Sequence, residues 1–328
     1  MNAVINEPKG LFTSYVEEKM TQTMEFDEFA RNICSEAGRV LGEDYQVEVR
    51  EIRKNNGVVL KGLVITPETG GLQNVVPTIY LDDLFKAYRS GRTFGTVTEM
   101  LLEAYRKNTP KEPVDMEFFR SFEKVRGRIC FRLVGRAGNE RLLEDVPHKE
   151  FLDLAVCFYY AYQGEPLGEG TILIHNSYME MWGTCTEELY ALALENTPRL
   201  FSWECRSMEE LIKDMTGLTP SGEEDELRTS PHGGLSMRVL TNKRKFYGAA
   251  CMLYPGLLEK IALEGRRNLY ILPSSLHEVI LLEDTGMENE EELKEMIASV
   301  NSTVVGHEEV LSNSLYYYNI EEKTVKIA

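Results

Sequence analysis

Apolar residues recur at three- and four-residue spacing over Phe26, Phe29, Ile33, Ala37, Val40 and Leu41, which predicts a helix over residues 25–41 stopped by Gly42. Val47, Val49 and Ile52 belong to a strand. Asn55-Asn56-Gly57 carries the AsnGly hairpin signal, and the partner strand returns over 58–66. A loop over 67–76 leads to a short strand at Thr78-Ile79-Tyr80-Leu81. A helix over 82–90 closes at Gly91, and a longer one over 96–108 takes Thr96 or Thr98 as its N-cap. Pro110 and Pro113 mark a linker.

Beyond it, Phe118, Phe119, Phe122 and Val125 predict a helix, and residues 129–134 a strand. The continuous apolar run LAVCFYY (154–160) predicts a central, fully buried strand. A short strand over 171–174 and a helical turn over 178–182 follow. A helix over 186–196 is stopped by Thr197-Pro198, and another spans 208–215. Residues 221–234 are acidic and rich in Gly and Pro, the clearest boundary in the chain.

The stretch 238–284 organises what remains: two strands, a helix, then two strands. Val239-Leu240-Thr241 opens it, 242–245 turn, and 246–253 is an apolar run. Pro255 stands at a first helical position and Gly265 at the C′ stop. Strands over 269–272 and 278–282, a helix over 288–301 and a hairpin of 310–318 with 323–327 complete the pattern. The expected fold class is α+β, with mainly antiparallel sheets and paired helices. The expected organisation is an extension (1–24), α+β units at 25–112 and 113–220, an acidic connector (221–234) and a C-terminal α+β unit (235–328).

Thr98–Pro110 and Thr186–Pro198 share Thr, Glu, Leu, Asn, Thr and Pro at matching offsets, each downstream of a ThrIle strand and a short helix. Two readings stand: an internal duplication of a hairpin–strand–helix–helix unit, or two helices with the same cap chemistry.

The net charge of -17 over 328 residues repels phosphate backbones, so no nucleic-acid partner is expected. No apolar run is long enough for a membrane span and no secretory leader is evident, which makes the cytoplasm the expected location. The six cysteines lie far apart with no CxxC pair and are expected to be reduced. The five histidines show no ligand spacing, so neither a metal nor a cofactor is expected.

Pro273-Ser274-Ser275-Leu276-His277-Glu278 looks most like a site, with two hydroxyls, an imidazole and a carboxylate at a strand junction. A nucleophilic serine needs a base within reach and an oxyanion hole, and no GxSxG accompanies it. A turn whose hydroxyls bond local backbone is the competing reading. His175 and Asn176, with Cys185 ten residues on, form a weaker candidate, because Glu187 and Glu188 would raise the thiol pKa. Trp182 and Asn242 are further binding candidates. So are Tyr316 and Tyr318, in a strand where one or two rings of the Tyr316-Tyr317-Tyr318 run must face outward.

Three segments resemble a known family: Trp182-Gly183 with a helix ending Glu195-Asn196-Thr197-Pro198; Val239-Leu240-Thr241-Asn242 followed by Tyr247-Gly248-Ala249-Ala250; and Leu269–Ser275 with His277-Glu278-Val279-Ile280. Their order and content resemble domain-of-unknown-function family 5688 of Gram-positive anaerobes over residues 25–328. The C-terminal half is similar in layout to family 1444 of bacilli. The resemblance implies a cytosolic α+β protein and brings no assigned functional residues. Two function classes are expected from the whole: a non-enzymatic protein-binding or regulatory protein with a protein partner, or a hydrolase-like enzyme using Ser274 or Ser275 with His277.

Overall fold

The computed structural model describes residues 24–68, 76–110, 117–165, 168–216, 237–273 and 275–328. The extension before Met24, the connector at 221–234 and Ser274 lie outside them. The described residues fall into two compact units, one drawn from Met1–Ile52 and Val59–Pro113, the other from Arg53–Val58 and Val114–Ala328.

In the first unit, α1 (Phe26–Leu41) buries Phe29, Ile33 and Ala37. Asp27 and Glu28 stand in its first turn and Arg39 in its last, as the helix dipole favours. A three-stranded sheet follows in the order β1 (Tyr45–Arg53), β2 (Val59–Pro67), β3 (Thr78–Tyr80). Then come α2 (Leu81–Arg89) and α3 (Phe94–Asn108). Phe29, Leu63, Ile65, Leu81 and Leu101 share one core. The α3 cap is Thr93, whose hydroxyl accepts from the Thr96 N–H at 3.2 Å. Thr98 instead lies one turn inside, buried, and donates to the Phe94 carbonyl.

The second unit holds a four-stranded sheet of β4 (Ile129–Gly135), β5 (His148–Phe151), β6 (Leu154–Gly164) and β7 (Gly168–Leu173). β6 pairs antiparallel with the other three, so the LAVCFYY strand is central. Around the sheet run α4 (Phe122–Val125), α5 (Glu140–Asp145), α6 (Asn176–Trp182) and α7 (Thr186–Leu200). A six-stranded antiparallel sheet has the order β13 (Thr324–Ile327), β12 (Tyr316–Asn319), β10 (Leu269–Leu272), β11 (Val279–Glu283), β9 (Met237–Asn242), β8 (Trp203–Ser207). Its helices are α8 (Met208–Thr216), α9 (Leu257–Gly265) and α10 (Glu290–Thr303), the last packing Leu293 and Ile297 against Tyr270, Leu272 and Leu282.

One core joins Phe131, Phe158 and Leu189 to Leu240, Ile271 and Tyr316. Together with the β8–β9 ladder it binds 113–220 and 235–328 into a single unit, where the sequence suggested two. The fold is α+β with antiparallel sheets. No helix among the described residues is long and apolar enough to cross a membrane.

Three local expectations are corrected. Residues 248–253 of the expected second strand form a 3-10 helix, because Gly248 fits against Thr241 and the His277 carbonyl where a side chain would clash. α9 starts after Gly256 and ends with Gly265, leaving Arg266 in the left-handed conformation. α7 runs through Pro198 to Leu200: Pro lacks only one N–H there, and buried Asn196 and Thr197 anchor the helix to β4.

The order strand–strand–strand–short helix–long helix does recur, as β1-β2-β3-α2-α3 and as β4-β6-β7-α6-α7 with α5 and β5 inserted. The shared sequence string is out of step with it, since Thr186 begins α7 while Thr98 lies a turn inside α3.

Candidate functional site

Strand alternation puts Cys130, Arg132 and Val134 of β4 on the face opposite Phe131 and Leu133. That face is covered in two patches, one around Cys130 and Tyr159, the other around Val134 and Cys157. Arg132 is the charge in this row.

Its partner comes from the loop after β9. Asn242 is buried. Its Oδ1 accepts the Arg244 N–H at 3.0 Å and its Nδ2 donates to the Phe246 carbonyl at 2.8 Å, so Asn242 shapes the turn. Tyr247 follows in the left-handed region at φ 52°, costly for a residue with a Cβ. Gly248 then threads a gap in which a Cβ would come 2.9 Å from the Asn242 nitrogen, and closer still to Thr241 Oγ1 and the His277 carbonyl.

This path seats Tyr247 between two groups. Its N–H donates to His277 Nδ1 at 3.2 Å, and the two rings are nearly parallel, 6.0 Å apart. Its hydroxyl accepts from Arg132 Nη1 at 2.7 Å, with the guanidinium 5.0 Å from the ring centroid. Arg132 Nε is buried without a hydrogen-bond partner, and no carboxylate among the described residues pairs with the guanidinium. His277 Nε2 lies 3.7 Å from Glu309 Oε1.

Arg132, Tyr247, His277 and Glu309 line a cleft of about 740 Å³, together with Asn55. The Asn55-Asn56-Gly57 turn belongs to the second unit. Asn56, at φ 58°, donates through Nδ2 to the His307 and Val310 carbonyls at 2.8 and 2.7 Å, and its N–H donates to Asn139 Oδ1. Asn55 Nδ2 donates to the Glu308 carbonyl, and Asn55 Oδ1 is buried with no partner among the described residues. Two residues of the lining thus each carry a buried polar atom without a partner among the described residues, where such atoms are ordinarily satisfied.

A second polar cluster is closed upon itself. Asp153, in the β5–β6 turn, accepts from Ser312 Oγ at 2.5 Å, Ser314 Oγ at 3.0 Å and the Tyr316 hydroxyl. Burial, reinforced by the bond to Asp153, raises the Tyr316 phenol well above its ordinary range. Every hydroxyl in this cluster has the carboxylate as its acceptor, so the cluster reads as a brace between two elements.

The other expected candidates disperse. Ser275 Oγ accepts the His277 backbone N–H at 3.1 Å, residue 275 bridges to Val310, and Glu278 is exposed. His175 Nδ1 meets Asp145 Oδ2 at 2.6 Å, Asn176 donates to the Glu144 carbonyl, and Trp182 Nε1 donates to the Phe119 carbonyl. Cys185 is exposed at the N-cap of α7. Tyr316 and Tyr318 are buried, which corrects their reading as partner-facing rings; Tyr317 is the half-exposed one. Among the described residues no group of three His, Cys, Asp or Glu side chains is placed to hold a metal ion. Sequence reasoning passed over Arg132, although a lone charge inside the apolar strand ICFRLVG was the available signal.

No curated protein and no solved structure matches the chain. A family model described as a family of unknown function, DUF5688, matches residues 26–320. The match takes in both β4 and the loop that seats Tyr247, and over that span the chain belongs to the DUF5688 family.

Proposed function

We propose that the protein is a non-enzymatic binding and regulatory protein of the cytoplasm, which takes a ligand in the Arg132–Tyr247 cleft and acts through a protein partner. The observation that carries this is the Arg132 guanidinium: half-buried, clamped by Tyr247, and among the described residues with a buried Nε that bonds nothing and no carboxylate to neutralise it. Leaving such a donor unsatisfied costs roughly 1–3 kcal/mol. The guanidinium's Nη2, which bonds nothing among the described residues, is the edge at which an anionic group would supply the missing counter-charge. The strained Tyr247 backbone beside it fits the same account, since strain concentrates at functional positions.

A hydrolase using Ser274 or Ser275 with His277 is the second reading, favoured by the carboxylate of Glu309 near the imidazole. It weighs less. The nitrogen that would accept a serine proton, Nδ1, already accepts the Tyr247 N–H, and Ser275 Oγ is engaged by backbone.

Both readings are tested by gentle capture of tagged wild type and Arg132→Met from the native host, followed by native mass spectrometry. The binding reading expects a small-molecule adduct and a protein partner on the wild type, and loss of the adduct from the variant. Turnover of model esters by wild type that vanishes in His277→Ala would instead establish the hydrolase.

A further inference from the structure

We infer a second ligand site beside the Arg132 cleft: a pocket of about 370 Å³ at Arg244 that takes a small apolar carboxylate, with the carboxylate on the Arg244 guanidinium. Thr171 and Phe246 line both cavities, so the two sites adjoin, but Arg132 and His277 lie outside this one.

The apolar half follows from the walls. Ala161 of β6, Leu200 and Phe201 at the end of α7, and Phe246 in the loop after β9 all line the pocket. Ala161 and Phe201 are buried, while Leu200 and Phe246 are half-buried. A cavity of a few hundred Å³ with apolar and aromatic walls and a small number of placed polar groups is the usual form of a small-molecule site.

The charged half follows from a connected polar row on the same lining. Arg128 Nη2 donates to Gln163 Oε1 at 3.2 Å, Gln163 Nε2 to Glu169 Oε1 at 3.4 Å, and Arg244 Nη1 to Glu169 Oε2 at 2.6 Å. Both oxygens of Glu169 are engaged, and it is the one carboxylate on a lining with two guanidinium groups. The pocket therefore carries one positive charge in excess, within a chain of net charge -17. That charge is open to solvent: the Arg244 side chain is 44% exposed. Its Nε and Nη2 have no partner among the described residues, and together they form the planar fork that matches a carboxylate. Phe201 lies 5.5 Å from the guanidinium and steadies its plane.

Size and charge together select the class. A bare anion would leave the apolar walls wet. A multiply charged phosphate would bring more negative charge than the single excess guanidinium balances, against an acidic chain. An apolar cation would be repelled by both arginines. A monoanion with an apolar body fills the walls and balances the charge.

The test is thermal denaturation and calorimetric titration of the full chain with sodium hexanoate and sodium phenylacetate. Acetate supplies the charge without the body, hexylammonium the body with the opposite charge, and inorganic phosphate a plain anion. The expected result is a saturable rise in Tm with hexanoate or phenylacetate and little with the other three. Arg244→Met, at an exposed side chain, should weaken binding by about 10- to 100-fold, and Arg244→Lys, which keeps the charge and loses the fork, should weaken it less. Arg132→Met should bind these probes as the wild type does, which keeps this pocket distinguishable from the cleft. Phosphate or hexylammonium acting as strongly as the apolar carboxylates would overturn the inference. So would hexanoate and phenylacetate leaving the wild type unchanged, or binding Arg244→Met as tightly as the wild type; none of these results bears on the Arg132 cleft.

Discussion

Arg132 and Tyr247 are 115 residues apart in sequence, yet Nη1 of the first donates to the hydroxyl of the second at 2.7 Å while the guanidinium lies over the same ring. The contact joins the four-stranded sheet to the loop that leaves β9. It secures one edge of the guanidinium and leaves the other edge without a partner among the described residues.

A residue kept for binding rather than for the fold should be cheap to remove. Arg132→Met loses a hydrogen bond and a ring contact, each worth about 1 kcal/mol, and also abolishes the buried, unsatisfied Nε, which relieves a comparable cost. Stability by urea denaturation should therefore change by no more than about 1 kcal/mol, with ligand binding lost. A loss of several kcal/mol would make Arg132 a structural residue.

The Asp153 brace should behave oppositely. Tyr316→Phe removes one of three hydroxyl donors and should cost about 1–2 kcal/mol. Asp153→Ala strips the acceptor from Ser312, Ser314 and buried Tyr316 together and should cost about 3 kcal/mol or more, without altering ligand affinity. Equal effects of the two substitutions in urea melts would show that the hydroxyls find other acceptors.

Gly248→Ala should be among the most damaging small changes in the second unit. The added Cβ meets Thr241 Oγ1, the His277 carbonyl and the Asn242 nitrogen, all held by strand pairing or hydrogen bonds. Overpacking of this kind costs about 1–3 kcal/mol or more, and it displaces Tyr247. Near-ultraviolet circular dichroism and ligand titration check both effects. An unchanged spectrum with wild-type binding would mean that the turn relaxes freely.

The buried thiols set an alkaline limit. Burial pushes Cys130 and Cys251 up to about 12 and Cys157 up to about 11, from an ordinary value of 9.0. Folded values raised above unfolded ones give stability that is complete below pH 9 and falls as pH climbs toward 11–12, because the unfolded chain releases these protons first. Urea midpoints from pH 7 to 11 should stay level and then drop beyond pH 9. At pH 8 exposed Cys185 should react with a thiol reagent at once and the three buried thiols only on unfolding.

Much of the frame was legible in the chain. The period of Phe29, Ile33 and Ala37 located α1, the AsnGly turn located the first hairpin, and LAVCFYY gave the central strand. These are signals in which local pattern and tertiary burial agree. Where they part, sequence reasoning erred. The apolar run over 246–253 has no intrinsic period, and a 3-10 helix won there because Gly248 must pass close to Thr241. β8 and β9 pair across a connector that looked like a boundary, since strand pairing ignores the polarity of what joins the strands. The site was less legible still. Asn242 and the Ser275–His277 turn stood out by composition, yet their polar atoms serve local backbone. Arg132 and Asn55 matter through what they fail to bond, and that requires coordinates.

The most direct measurement is the Arg132 Nε–H resonance in a nitrogen–proton spectrum, assigned by its loss in Arg132→Lys and followed as the ligand recovered from the host protein is added. The expected result is a shift that saturates with binding, marking a ligand beside the guanidinium. A ligand that saturates the protein while this resonance stays in place would contradict the assignment of the cleft.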